Sequence, residues 1–248
     1  MSKLVLVTGS SRGIGAASAI RLASAGYDVC VNYVRDVDAA NKVVEEIESR
    51  GKRALAIQAD LSQEEQVQAL FEQMDDHFGA VYGLVNNAGI LFKQMRVEEM
   101  SAERINAVLT TNVTAYFLCA REAIKRMSLN RGGCGGVIVN MSSAAAKTGS
   151  AGEYVDYAAS KGAIDTMTIG LAKEVAAQGI RVNAVRPGFI YTDMHRDGGE
   201  PGRVDRLKGS LPMKRGGTVE EVAAAVAWLV SEESSYTTGS FIDVSGGR

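Results

Sequence analysis

Leu4-Val5-Leu6-Val7-Thr8-Gly9-Ser10-Ser11-Arg12-Gly13-Ile14-Gly15 decides how the chain is read. The first five residues read as a short strand, and beyond the glycines Ala17, Ile20, Leu22 and Ala23 follow a helical pattern. Strand, glycine-rich turn and helix therefore succeed one another. Such a turn lets backbone approach a pyrophosphate, and the helix start adds unpaired N–H groups and the positive end of its dipole. The spacing of Gly9, Gly13 and Gly15 is one variant of the dinucleotide fingerprint. Taken alone, it is equally the mark of a tight turn with no ligand.

The alternation continues downstream. Asp28 to Tyr33, Ala54 to Gln58, Val81 to Val85, Val137 to Met141, Arg181 to Val185 and Ser240 to Val244 read as six further strands. Helical patterns separate them, at about Asp38 to Arg50, around Val67, Leu70, Phe71 and Met74, at about Ala102 to Met127, from Tyr157 to about Val175, and at about Val219 to Val230. With no linker or repeat, residues 1–248 are expected to form one α/β domain. It is a single-domain Rossmann fold, a doubly wound seven-stranded parallel sheet with helices on both faces. Residues 190–213 are rich in Gly, Asp, Arg and Pro with little periodicity, and form a candidate lid.

Composition bounds the function. A net charge of −2 gives no electrostatic argument for nucleic acid or an anionic membrane. No apolar run approaches membrane-spanning length, and the N-terminus lacks a signal-peptide core, so a cytoplasmic protein is expected. Cys30, Cys119 and Cys134 are scattered and read as reduced thiols, the first two buried. His77 and His195 are the only histidines, too isolated to suggest a metal site or a Ser-His-Asp relay.

Chemistry concentrates in a few places. Tyr157 and Lys161 lie four apart on one helix face, where an ammonium would favour the phenolate and let the tyrosine trade protons with an alcohol or carbonyl oxygen. The second strand ends in Asn32, Tyr33 and Arg35, with no acid to accept from an adenosine ribose. With Arg12 in the glycine turn, this favours NADP(H), NAD(H) being possible. Asp60 follows the third strand and would accept from an adenine amino group, while Ser62 to Glu65 reads as a capping box of its own. Asn86-Asn87-Ala88-Gly89 suits backbone packed against a neighbouring strand and a ligand, and Asn112 sits in an apolar helix face that demands a bonded amide. Ser142 and Ser143 stand at the carboxyl end of the fifth strand, where α/β sheets bind ligands.

These motifs, in this order and over nearly the full length, resemble the short-chain dehydrogenase/reductase family. The resemblance implies a hydride-transferring oxidoreductase for a small carbonyl or alcohol substrate, with Tyr157 as proton donor and acceptor. Ser143 would hold the substrate oxygen, Lys161 would lower the Tyr157 pKa and bind the nicotinamide ribose, and Asn112 would hold a relay water. Ser11, Ile14, Leu61, Asn87, Ala88, Gly89, Pro187, Gly188, Ile190 and Thr192 would complete the cofactor site. A homotetramer or homodimer is implied as well.

Ser143 precedes Tyr157 by fourteen, one more than is common in the family. An insertion between Ala146 and Glu153 would explain that, and Ser142 stays as an alternative. Resemblance to 3-oxoacyl-[acyl carrier protein] reductases would require a basic entrance, for which Lys93, Arg96, Arg126, Arg131, Arg196 and Arg203 are candidates, equally readable as solvated. Sugar dehydrogenases share the framework. Candidate substrate-facing residues are Phe92, Lys93, Tyr154, Ile190 and His195.

Overall fold

The structure, a computed structural model, describes residues 2–248. In chain order its main elements are β1 (Leu4–Val7), α1 (Gly13–Ser24), β2 (Asp28–Tyr33), α2 (Val37–Glu48), β3 (Ala54–Gln58), α3 (Glu64–Phe78), β4 (Val81–Asn86), α4 (Ala102–Leu109), α5 (Ala115–Met127), β5 (Gly136–Met141), α6 (Ala145–Thr148), α7 (Val155–Val175), β6 (Ile180–Pro187), α8 (Met194–Asp197), α9 (Arg203–Leu207), α10 (Val219–Val230) and β7 (Phe241–Val244). The seven strands run parallel in the order β3-β2-β1-β4-β5-β6-β7.

β1, β2, β4 and β5 are almost wholly buried, which explains why they read as apolar runs rather than alternations. Val67, Phe71, Tyr116 and Ile164 from α3, α5 and α7 fill one face. Ala19, Leu22, Val43, Ile47 and Val226 from α1, α2 and α10 fill the other.

Chain direction across the sheet reverses between β1 and β4, which pair Val7 to Val85. The helices that follow these strands pack on opposite faces of the sheet, α1 on one and α5 on the other, which leaves a crevice at the carboxyl edge.

Three local expectations are corrected. The run from Ala102 to Met127 is broken by a π-helical segment, Thr110–Thr114, with the fully buried Asn112 at its centre. Ser62 does not cap α3. Gln63 holds that position without a side-chain bond, while the Asp60 carboxylate accepts the Ser62 N–H at 3.0 Å and so turns the chain itself. The segment 190–213 contains the short helices α8 and α9, too brief to leave a periodic signal.

Candidate active site

An open cleft of about 1080 Å³ runs along the carboxyl edge of the sheet. Its floor begins at the glycine turn. Thr8 Oγ1 accepts the N–H groups of Asn87 (2.9 Å) and Ala88 (3.0 Å), and Asn87 Nδ2 donates to the carbonyls of Thr8 (2.9 Å) and Gly9 (3.2 Å). The turns after β1 and β4 are thereby locked together. A Cβ on Gly15 would lie 2.5 Å from the Gly9 oxygen and 2.6 Å from Asn87 Nδ2, so close approach of backbone fixes that glycine. Gly13, at φ +58°, would meet nothing within 4 Å and faces open space. Asn86 serves the interior, donating to Asn140 Oδ1 at 3.0 Å, and Asn140 donates to Thr168 Oγ1 at 3.0 Å.

The cleft brings together Gly9, Ser11, Arg12, Gly13, Ile14 and Gly15 with Tyr33, Arg35 and Asp60. Asn87, Ala88, Gly89, Pro187, Gly188, Ile190 and Thr192 line it as well. So do Ser143, Tyr157 and Lys161.

Three expected residues do not line it. Asn32 is fully buried, accepting the Gly9 N–H at 3.1 Å and donating to the Ala59 carbonyl at 3.1 Å, so it ties the glycine turn to the end of β3. Leu61 belongs to the core under α3. Asn112 accepts the Ile90 N–H at 2.8 Å and donates to the Ile90 carbonyl (3.0 Å) and Ser160 Oγ (3.2 Å). Its amide therefore clamps the turn after β4 to α7 from behind the cleft, because a buried amide is stable only when its groups are bonded.

Tyr157 lies in the first turn of α7. Its N–H donates to Asp156 Oδ1 at 2.9 Å, and the Asp156 carboxylate forms a buried ion pair with Arg104 at 2.7 Å, anchoring the helix start on α4. Nothing in the local pattern marked Arg104, which is distant in sequence. The fifth-strand serines separate clearly. Ser142 is buried, with its hydroxyl donating to Asp165 Oδ1 at 2.6 Å. Ser143 lines the cleft together with Tyr157 and accepts the Ala145 N–H at 3.1 Å. Between Ser143 and Tyr157 the chain turns through left-handed Gly149, Ser150 and Gly152.

Lys161 Nζ sits 5.6 Å from the centre of the Tyr157 ring. Burial pushes the Tyr157 phenol up to about 12, Ser143 opposing it, and pushes the Lys161 ammonium down to about 7, the Asp165 charge opposing it. The expected lowering of the tyrosine is thus outweighed by desolvation in the protein alone.

The 190–213 segment is pinned over one side of the cleft. Asp197 pairs with Arg12 at 2.5 Å, Tyr154 donates to the Gly198 carbonyl at 3.1 Å, and Arg203 pairs with Glu153 and Glu200. Phe92, Tyr154, Ile190 and His195 line the cleft, whereas Lys93 does not. His195 is held below its usual pKa, chiefly by burial and then by Arg203. Of the candidates for a basic entrance, Arg96, Arg126, Arg196 and Arg203 are each paired with acids of this chain, whereas Lys93 and Arg131 have no ion pair among the described residues.

The family model described as enoyl-(acyl carrier protein) reductase matches residues 9–248. An uncharacterized oxidoreductase, YgfF, of Escherichia coli (strain K12) is 62% identical over 245 residues, covering 99% of both chains. Glucose 1-dehydrogenase 2 of Bacillus subtilis (strain 168) is 43% identical over 246 residues, 99% of this chain and 94% of that protein. A short chain dehydrogenase from Burkholderia cenocepacia J2315, solved in complex with NADP, superposes with a TM-score of 0.90 at 36% identity, covering 99% of this chain and 97% of the other. Likeness of this degree, over the whole length and on the sheet and cleft just described, means that the chain belongs to the short-chain dehydrogenase/reductase family and is an NAD(P)-dependent oxidoreductase acting on CH–OH groups.

Proposed function

We propose that this oxidoreductase prefers NADP(H) to NAD(H) and interconverts a small carbonyl compound and a secondary alcohol, with Tyr157 as proton donor and acceptor. The observation that carries the reading is that Ser143, Tyr157 and Lys161 line one cleft, with the Lys161 ammonium 5.6 Å from the centre of the Tyr157 ring. In the reducing direction Ser143 holds the substrate oxygen and Tyr157, protonated at neutral pH, gives it a proton. In the oxidising direction the phenolate must take that proton, and the nearby Lys161 charge stabilises it.

The residues present fit a dinucleotide. Gly13 leaves backbone open to the cleft at the start of α1, and no carboxylate stands at the end of β2 before Asp36, which caps α2 by accepting the Ala39 N–H at 2.9 Å. Arg35 lines the cleft and has no ion-pair partner among the described residues, so it is available to a 2′-phosphate. The Burkholderia relative's NADP complex supports the same preference. Asp60 has a second carboxylate oxygen for the adenine amino group, and Thr192 lines the same cleft and is assigned to the carboxamide or a phosphate. When bound, the nicotinamide supplies or accepts the hydride. Residues 190–213 act as the lid over substrate.

Steady-state assays of Tyr157→Phe and Lys161→Ala, with carbonyl compounds and alcohols and both cofactors, test the reading. Near wild-type turnover in both variants would end it. The same reading takes the protein as a cytoplasmic homotetramer or homodimer. The apolar Leu109, Phe117 and Ile169, exposed on α4, α5 and α7, support self-association, and sedimentation at micromolar concentration checks it.

A further inference from the structure

We propose that Tyr116 and Asp165 are positioning residues for Lys161: the Tyr116 hydroxyl fixes where the ammonium sits, and Asp165 supplies the negative charge that balances it. The inference rests on the catalytic reading above, and it concerns two residues that no motif singled out.

Tyr116 is 1% exposed in α5, where a phenylalanine would fill the same volume. Its hydroxyl is what needs an explanation, because burying an unbonded hydroxyl is costly. That hydroxyl donates to the Met141 carbonyl at 3.2 Å and accepts from Lys161 Nζ at 3.3 Å, while Lys161 Nζ also donates to the Met141 carbonyl at 2.7 Å. The three atoms form a triangle at the end of β5. An ammonium has three donors, so two are spent behind the cleft and the third is left for whatever occupies it. The Tyr116 ring centre lies 5.1 Å from Nζ, close enough for its π face to contribute.

Asp165 lies one turn beyond Lys161 in α7. Arg186 of β6 pins its carboxylate at 2.7 and 3.0 Å, and the Ser142 hydroxyl links it at 2.6 Å to the Lys161 carbonyl, 3.2 Å away. Asp165 is the charge that opposes the burial of Lys161. The groups recorded against Nζ itself carry no charge at neutral pH: the Met141 carbonyl of β5, the Tyr157 phenol, which burial pushes up to about 12, and Tyr116, which burial holds well above the usual phenol range. Arg186 acts through Asp165 with the opposite sign.

Both supports favour the charged lysine, so removing either lowers the pH at which Lys161 loses its proton. The test follows the Cε signal of isotopically labelled lysine by NMR in the cofactor-free protein, for the parent, Tyr116→Phe and Asp165→Asn, with melting temperature alongside. The Lys161 midpoint should fall by about half a pH unit or more in each variant. In kcat/KM profiles, the limb that requires the charged lysine should move the same way. A merely structural role would lower melting temperature and activity without moving the midpoint. Unchanged midpoints in both folded variants overturn the proposal. A protein that turns over no carbonyl ends the catalytic reading but leaves the NMR result to decide this one.

Discussion

Arg35→Ala should cost the enzyme most of its preference for NADPH over NADH, and Arg12→Ala should cost less. Arg35 carries no ion pair among the described residues, so its whole charge-assisted bond to a 2′-phosphate is available. At about 1.5–3 kcal/mol for such a bond, its loss lowers kcat/KM for NADPH by about tenfold to a hundredfold. NADH, lacking the phosphate, should change little.

Arg12 must first leave Asp197, 2.5 Å away, with side chains 56% and 41% exposed. A pair that exposed is worth about 0.2–1 kcal/mol, which is subtracted from whatever Arg12 gives the phosphate. Asp197→Asn removes that competitor and should raise kcat/KM for NADPH by about 1.5-fold to fivefold. Steady-state kinetics with both cofactors at low, fixed salt reads all three variants, since exposed charges are screened. Equal losses for NADPH and NADH in Arg35→Ala would refute the reasoning.

Ser143→Ala should lower kcat by about a hundredfold or more, as for loss of a hydrogen-bond donor to a reacting oxygen, whereas Ser142→Ala should stay within about tenfold. Reversed magnitudes would put the wrong serine in the site. Gly15→Ala should destabilise the fold by about 1–3 kcal/mol and raise the KM for cofactor, because its Cβ meets backbone and an amide. Gly13→Ala, whose Cβ meets nothing in the protein itself, should cost the fold only the left-handed backbone penalty of about 1–2 kcal/mol, and any rise in cofactor KM then reports the ligand's approach to that backbone. Thermal melts and cofactor titration separate the two.

Lys161→Met should abolish turnover yet raise the melting temperature, more near pH 6 than near pH 9. The folded lysine loses its proton at about 7 and the unfolded one near 10.5, so the cost of burying it is complete below the lower value and shrinks as pH rises between them. A gain independent of pH would contradict that.

The glycine spacing, the four-residue step from Tyr157 to Lys161 and the repeated strand and helix patterns all express local backbone geometry, which is why they could be read along the chain. The chain alone also showed that no acid stands where a ribose would be gripped. It missed the short helices within residues 190–213 because four or five residues cannot establish a period.

What remained was decided by partners far apart in the chain. Asn32 was expected at the cofactor and is instead consumed by Gly9 and Ala59, and Asn112 turns its amide to Ile90 and Ser160 rather than to the cleft. Ser142 and Ser143 are indistinguishable as letters. Just beyond β5 the Ser142 hydroxyl is taken by Asp165, while that of Ser143 accepts the Ala145 N–H in the cleft that Tyr157 also lines. Tyr116 carries no local signal and meets Lys161 45 positions away, and Arg12 meets Asp197 at a separation of 185. Sequence determined the elements and the spacing of Tyr157 and Lys161, since those depend on neighbours along the backbone. Only the packed sheet decided which polar groups face ligand and which hold the fold, because that depends on what burial leaves unbonded.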